Sequence, residues 1–209
     1  MGITIERLDL STGHEDPAGQ LVVIRMEEKI DQMWDKYQHL VHTFNPRQRP
    51  RETPLPLNAL RDDLAEAQLH FLSPAECKVC MELTGVIGWL TAQGRVDSRF
   101  AYYVIATRKS KPRNWDMYLA VYCMEYLHTT KDVPLLLGGP VADPEVLYDA
   151  SFAILPERRS VKAHVARTGP QSGVILGTCG AIKHCLKSVF EAEHTACSDG
   201  IDTQIFLEH

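Results

Sequence analysis

The sequence has no uninterrupted apolar run of about 18–20 residues, the length a helix needs to cross a bilayer, and this excludes a membrane-spanning helix. Its N-terminal stretch, MGITIERLDL, lacks the apolar centre of a secretory leader, so the expected location is intracellular, cytoplasmic or nuclear. Basic residues are not in excess: 22 Lys+Arg stand against 27 Asp+Glu, a net charge of −5. Nucleic-acid binding through overall charge is thereby excluded, and only local basic faces remain. No internal repeat and no low-complexity tract is present. Cys77-Lys-Val-Cys80 has no second CxxC or His pair at zinc-finger spacing, which leaves that motif without a structural zinc site.

What is present is ordinary globular composition, 44% hydrophobic and 23% charged, in 209 residues. That length allows one large domain or two small ones. The six cysteines come without a leader, and several fall within apolar helical patterns, so buried free thiols in a reducing compartment are expected. Residues 3–9 and 20–26 alternate as two strands of a hairpin with a long loop. In 27–44 the apolar residues Ile30, Met33, Trp34, Tyr37, Leu40 and Val41 recur at helical spacing, and Pro46 ends the pattern. Residues 45–58 carry four prolines and three arginines and must form an extended connector. Three helices follow, over 73–92 (opened by Ser73-Pro74), 96–108 and 114–129, and read as a packed helical unit. From Val133 the period shortens: 133–139, 145–155, 160–168 and 172–181 read as strands, and 188–206 as a final helix. Ser188 and Glu191 fit a capping box there, while Gly200 weakens the helix interior by about 1 kcal/mol.

Two acids stand out by position. Asp149 lies inside an apolar strand pattern, where a carboxylate is either solvated at a strand end or a metal ligand. Glu191 lies in the first turn of the last helix, where it is either a capping carboxylate or a second ligand. A strand Asp, a hairpin of two more strands and a helix carrying an early Glu is the opening of an RNase H-type nuclease. With that order in view, several stretches of the chain resemble the reverse transcriptase of copia-type LTR retrotransposons running into its RNase H domain. Residues 18–30, AGQLVVIRMEEKI, resemble a thumb strand and the helix after it, and Thr53-Pro54-Leu55-Pro56 resembles the connector that follows the thumb. Leu83 to Leu90 (LTGVIGWL), Arg95-Val96-Asp97 with Ala101-Tyr102, and Asn114-Trp115 with Tyr126 to Asp132 (YLHTTKD) resemble motifs of the connection in the family's order. Leu147 to Ala153 (LYDASFA) resembles the family's Y-S-D-A-D-W-A, Arg158-Arg159-Ser160 its R-R-S-T, and Ser188 to His194 (SVFEAEH) its S-S-T-E-A-E-Y.

The resemblance implies a parent protein with RNA-directed DNA polymerase and ribonuclease H activity, which cuts the RNA strand of an RNA–DNA hybrid with two Mg²⁺ or Mn²⁺ ions about 4 Å apart. Asp149 and Glu191 would then be the catalytic acids and first two metal ligands. Three departures limit this. Ser151 stands where the family has a second Asp, Val161 replaces a Thr, and the strand bearing the third acid is not found before the chain ends at Phe206 and the Leu207-Glu208-His209 stretch that reads as a tag remnant. Asp199 and Asp202 cannot substitute, because they lie about 12 Å and about 16 Å along the helix from Glu191. The paired aspartates of the polymerase palm are missing from residues 1–26 as well.

The expectation is therefore an α+β chain. Residues 1–132 form a hairpin and helical thumb/connection-like unit. Residues 133–206 form the N-terminal half of an RNase H-like antiparallel sheet with one helix. The expected function is RNA–DNA hybrid binding by a Pol-derived fragment that is catalytically incomplete. The local cation clusters that would track phosphate are Arg108, Lys109, Lys111 and Arg113, then Arg158 and Arg159. Two alternatives remain. One is a domesticated, non-catalytic interaction or assembly module, for which an exposed sheet edge suggests a homodimer. The other is a thiol enzyme built on Cys179 and His184.

Overall fold

The computed structural model describes residues 3–9, 20–44, 50–60, 66–108, 110–138, 143–155, 159–167, 173–183 and 186–208. Its secondary structure is mixed helix and antiparallel sheet, an α+β chain. The elements in order are β1 (Thr4–Asp9), β2 (Gln20–Arg25), α1 (Glu27–Tyr37), α2 (His39–Phe44), α3 (Glu66–Leu69), α4 (Pro74–Gln93), a 3-10 turn (Val96–Ser98), α5 (Arg99–Thr107), α6 (Asn114–Thr129), β3 (Leu135–Gly138), β4 (Glu145–Leu155), β5 (Arg159–Arg167), β6 (Val174–Ala181) and α7 (Val189–Glu208). The chain divides into two compact units, one of Met1–Ile3 with Met26–Val133 and one of Thr4–Arg25 with Pro134–His209.

The helical unit is built around α6, which packs on α1, α2, α3, α4 and α5. A helix surrounded in this way must be apolar on all sides, and α6 buries Trp115, Met117, Leu119, Val121, Met124 and Leu127 around its circumference. α4 starts where Ser73-Pro74 predicts. The Ser73 hydroxyl accepts from the Glu76 N–H (3.4 Å) and the Glu76 carboxylate accepts from the Ser73 N–H (2.9 Å), which satisfies two backbone donors the helix start would otherwise leave open. The helix expected over 27–44 is interrupted at Gln38, whose N–H still bonds the Trp34 carbonyl, and resumes as α2. The helix expected over 96–108 opens with the 3-10 turn before α5. Charges buried in this unit are paired. The Arg95 guanidinium, 4% exposed, donates to both oxygens of Asp97 (3.0 and 2.8 Å) and to the carbonyls of Leu127 and Thr130, closing the end of α6. Burial acts to raise the Asp97 carboxyl, but the bonds and charge of Arg95, with the Tyr126 hydroxyl, hold it below the usual range.

The second unit contains two three-stranded antiparallel sheets, β1-β2-β3 and β4-β5-β6. The hairpin, expected beside the helices in 1–132, instead pairs through β2 with β3, with Leu21 opposite Gly138 and Ile24 opposite Leu135. A strand with consecutive apolar residues such as Leu21-Val22-Val23-Ile24 suits a central position flanked on both edges, and β3 supplies the second edge. In the other sheet, β4 and β5 are regular from Glu145↔Arg167 to Ser151↔Val161, with an irregularity before Leu155↔Arg159. There the Ala153 N–H donates to the Ser160 hydroxyl at 3.1 Å, and Ala153 takes a positive φ of 55°. α7 lies across β4 and β5. Its Gly200 has a packing reason, since a Cβ there would sit 2.7 Å from the Tyr148 ring. The helix thus gives up propensity to let the strand side chain approach its backbone. Gly173 is constrained in the same way by the Leu136 carbonyl, which leaves no room for a Cβ.

Candidate nucleic-acid interface

Side chains alternate across a strand, so one contact fixes the face of its neighbours. Tyr148 meets α7 at Gly200 and hydrogen-bonds Cys197, which holds its hydroxyl above the ordinary tyrosine value. His164, opposite Tyr148, bonds Thr178 on β6 (3.1 Å) and Thr203 on α7 (3.1 Å), and burial holds it below the usual histidine range. Lys162 ion-pairs with Asp199 of α7. Tyr148, His164 and Lys162 therefore occupy the helix-covered face, and Asp149 falls on the other face, exposed and opposite Ala163.

Glu191 sits at the start of α7, where the Ser188 hydroxyl accepts from the Glu191 N–H (3.2 Å). Its carboxylate accepts from the Lys187 N–H (2.6 Å), one residue beyond an ordinary capping box. Gly200, the point of contact with Tyr148, lies about 13 Å further along the helix axis. The two acids are thus displaced along the sheet and lie on different sides of it. They do not converge on a shared Mg²⁺ or Mn²⁺, for which ligands must close on one ion at about 2.1 Å. Among the described residues no group of three or more His, Cys, Asp or Glu could hold a metal ion.

The cations named in the sequence have different fates. Arg108 pairs with buried Asp116 at 3.5 Å, and the Arg113 N–H donates to the same carboxylate at 2.7 Å while its guanidinium lies 5.2 Å from the Phe71 ring centre. Burial raises the Asp116 carboxyl, against the pull of Arg113 and Arg108. The Arg108 side chain and the Arg113 backbone N–H therefore serve the start of α6, while the Arg113 side chain stays exposed. Lys111 is exposed, and Lys109 and Arg158 lie outside the described residues. Arg159 is exposed at the first position of β5.

The sequence reading missed two companions of Arg159. The β5–β6 register ends at Val161↔Ala181, and the Ile182 N–H then bonds the Ser160 carbonyl (2.9 Å), which brings the bend at Lys183 to the end of the sheet where Arg159 opens β5. Lys187, also exposed, follows just before α7. Among the described residues none of the three has an ion-pair partner. Only the strand register could have revealed that Lys183 comes to the same end of the sheet as Arg159, since 24 positions of sequence separate them.

No family model, characterised protein or solved structure matches the chain.

Other candidates are absorbed by packing. A cleft of about 440 Å³ in the helical unit is lined in part by Trp34, His42, Glu125 and His128. There His128 stacks on Trp34 (4.1 Å between ring centres) and Glu125 is held by Arg51 at 3.1 Å. Cys179 stands within β6 opposite Ala163, and His184 lies outside the described residues. Cys77, Cys80, Cys123, Cys179 and Cys197 are not in disulfides, and burial pushes Cys80 up to about 11 and Cys123 up to about 12, values that suppress a thiolate. No helix among the described residues is long and apolar enough to cross a membrane.

Proposed function

We propose that the chain binds nucleic acid, with an RNA–DNA hybrid as the preferred duplex, as a copia Pol-like module that contacts the phosphate backbone without cutting it. The observation that carries this reading is the exposed set of Arg159, Lys183 and Lys187, none of which has an ion-pair partner among the described residues. Like charges gathered at one end of a sheet repel, and an anion laid across them relieves that repulsion. The resemblance of 147–160 and 188–194 to the opening of an RNase H domain supports the choice of a hybrid. The separation of Asp149 from Glu191 supports binding without hydrolysis.

The test is anisotropy of a labelled hybrid across a salt series. Each phosphate neutralised contributes about 0.9 to the slope of log K against log salt on a B-form duplex. Arg159→Glu with Lys183→Glu should weaken binding and flatten that slope by about 2. A wild-type protein that fails to bind at low salt, or a double variant that binds as the wild type does, would refute the proposal. In parallel, hybrid cleavage with Mg²⁺ or Mn²⁺ should be absent. Cleavage abolished by Asp149→Asn would restore a nuclease centre and overturn the non-catalytic part.

A further inference from the structure

We propose that the chain forms a two-fold homodimer in which the free edge of β4 pairs with its copy and the two α7 helices pack side by side over the seam. The proposal is independent of the nucleic-acid reading. Among the described strands β4 pairs only with β5, so its outer edge presents a row of unpaired N–H and C=O groups. That edge carries neither Lys nor Pro, the usual blunting residues, and it is regular for the whole of Glu145–Ser151.

Two identical strands can pair antiparallel about an axis normal to the sheet, which opposes each residue to a symmetry-related one on the same face. The charges on β4 select the register. Centring on Leu147 opposes Asp149 to Glu145 of the copy, and centring on Asp149 opposes the two Asp149 side chains; both put like charges together. Centring on Tyr148 opposes Asp149 to Leu147 and Glu145 to Ser151, and uses all of the regular segment. The selected register is therefore the longest one as well.

The same two-fold axis keeps both α7 helices on one face. α7 straddles β4 and β5, touching β4 through Cys197 and Gly200 and β5 through Asp199 and Thr203. With strands about 4.8 Å apart, a helix over the β4–β5 midline lies about 4.8 Å from the axis. The two helices are then about 10 Å apart, an ordinary helix-packing distance. What each presents to the other is apolar. Phe190, Cys197 and Ile201 lie about 100–140° round the helix from buried Ala196, on the flank that reaches over Tyr148. Phe190 is 77% and Ile201 50% exposed. Their spacing of seven and four residues is that of a helix–helix seam. The helix runs antiparallel to its copy, so Cys197 of one faces Ile201 of the other near the axis.

The experiment is sedimentation velocity on the full chain over a concentration series, joined to amide exchange at each concentration. A dimer is expected by about 100 μM, a concentration at which even a weak micromolar interface is populated. The β4 amides that point away from β5 should gain protection in step with dimer formation. Ile201→Asp, on the exposed flank, should raise the dissociation constant at least tenfold. Leu57→Asp, at an exposed site of the helical unit, should leave it unchanged. Phe190→Ser provides a second flank variant should Ile201→Asp lower stability. A monomer at every concentration overturns the proposal. So does a dimer whose β4 amides stay unprotected, or one weakened equally by Leu57→Asp. Protection of β4 in a monomer, appearing only on addition of nucleic acid, also overturns it by giving the edge to another partner.

Discussion

The helical unit and the sheet unit divide the apolar content of the chain unequally. All the largest fully buried side chains except Val23 belong to the helices, where α6 is enclosed and its flanking charges are matched: Arg95 with Asp97, Arg51 with Glu125, Arg108 with Asp116. The sheet unit leaves Leu147, Tyr148, Ile175, Phe190, Ile201 and Phe206 exposed, and its cations Arg159, Lys183 and Lys187 without carboxylate partners among the described residues. The helical unit has an enclosed apolar centre and pairs its buried charges, although Leu57, Phe71 and Met81 remain on its surface. The other still offers an apolar seam and a positive end, which is where ligands and partners find energy.

The widest separation between the units should appear in truncations of their apolar side chains. Leu90→Ala in α4, at a site with no exposure, should cost about 2–5 kcal/mol in urea unfolding, whereas Leu147→Ala, nearly half exposed, should cost well under 1 kcal/mol. Equal losses would remove the distinction between a closed and an open unit. A smaller effect tests a tight contact between helix and sheet in the open unit. Gly200→Ala gains helix propensity but drives a Cβ into the Tyr148 ring, and a net loss of about 1–2 kcal/mol is expected. A gain in stability would show that α7 rests loosely on β4.

The smallest effect expected is a pH dependence confined to the helical unit. Asp97 has its carboxyl depressed in the folded chain, so its contribution is present above the unfolded value of about 3.9 and is lost as pH falls through the lower folded value. Acid unfolding below about pH 4 should therefore be less steep in Asp97→Asn than in the wild type. Matching acid transitions would assign the sensitivity to other carboxylates.

Much of the fold could be read from local pattern. The spacing of Ile30, Met33 and Tyr37, the Ser73-Pro74 start of α4, and the short runs after Val133 each marked an element close to its observed bounds, because helix starts and periodicity are set over a few residues. The site was harder. Asp149 and Glu191 stood on the expected strand and helix, but which face of β4 carries Asp149, and how far α7 slides along the sheet, depend on where Gly200 meets Tyr148. Arg108 looked like a surface cation and proved to be paired with Asp116, a matter of burial that no charge count reveals, whereas Arg113 gives Asp116 only its backbone N–H.

By itself the sequence determined the order and type of the elements, the α+β class, and the local caps, since each is decided by neighbours within one or two turns of chain. Only the tertiary structure decided that β2 completes its ladder with β3 about 110 residues later, that Lys183 comes to the end of the sheet where Arg159 opens β5, and that β4 keeps an open edge beneath an apolar helix flank. Those outcomes depend on strand register and on which faces meet, and both are settled by long-range packing between segments whose local sequences are compatible with several pairings.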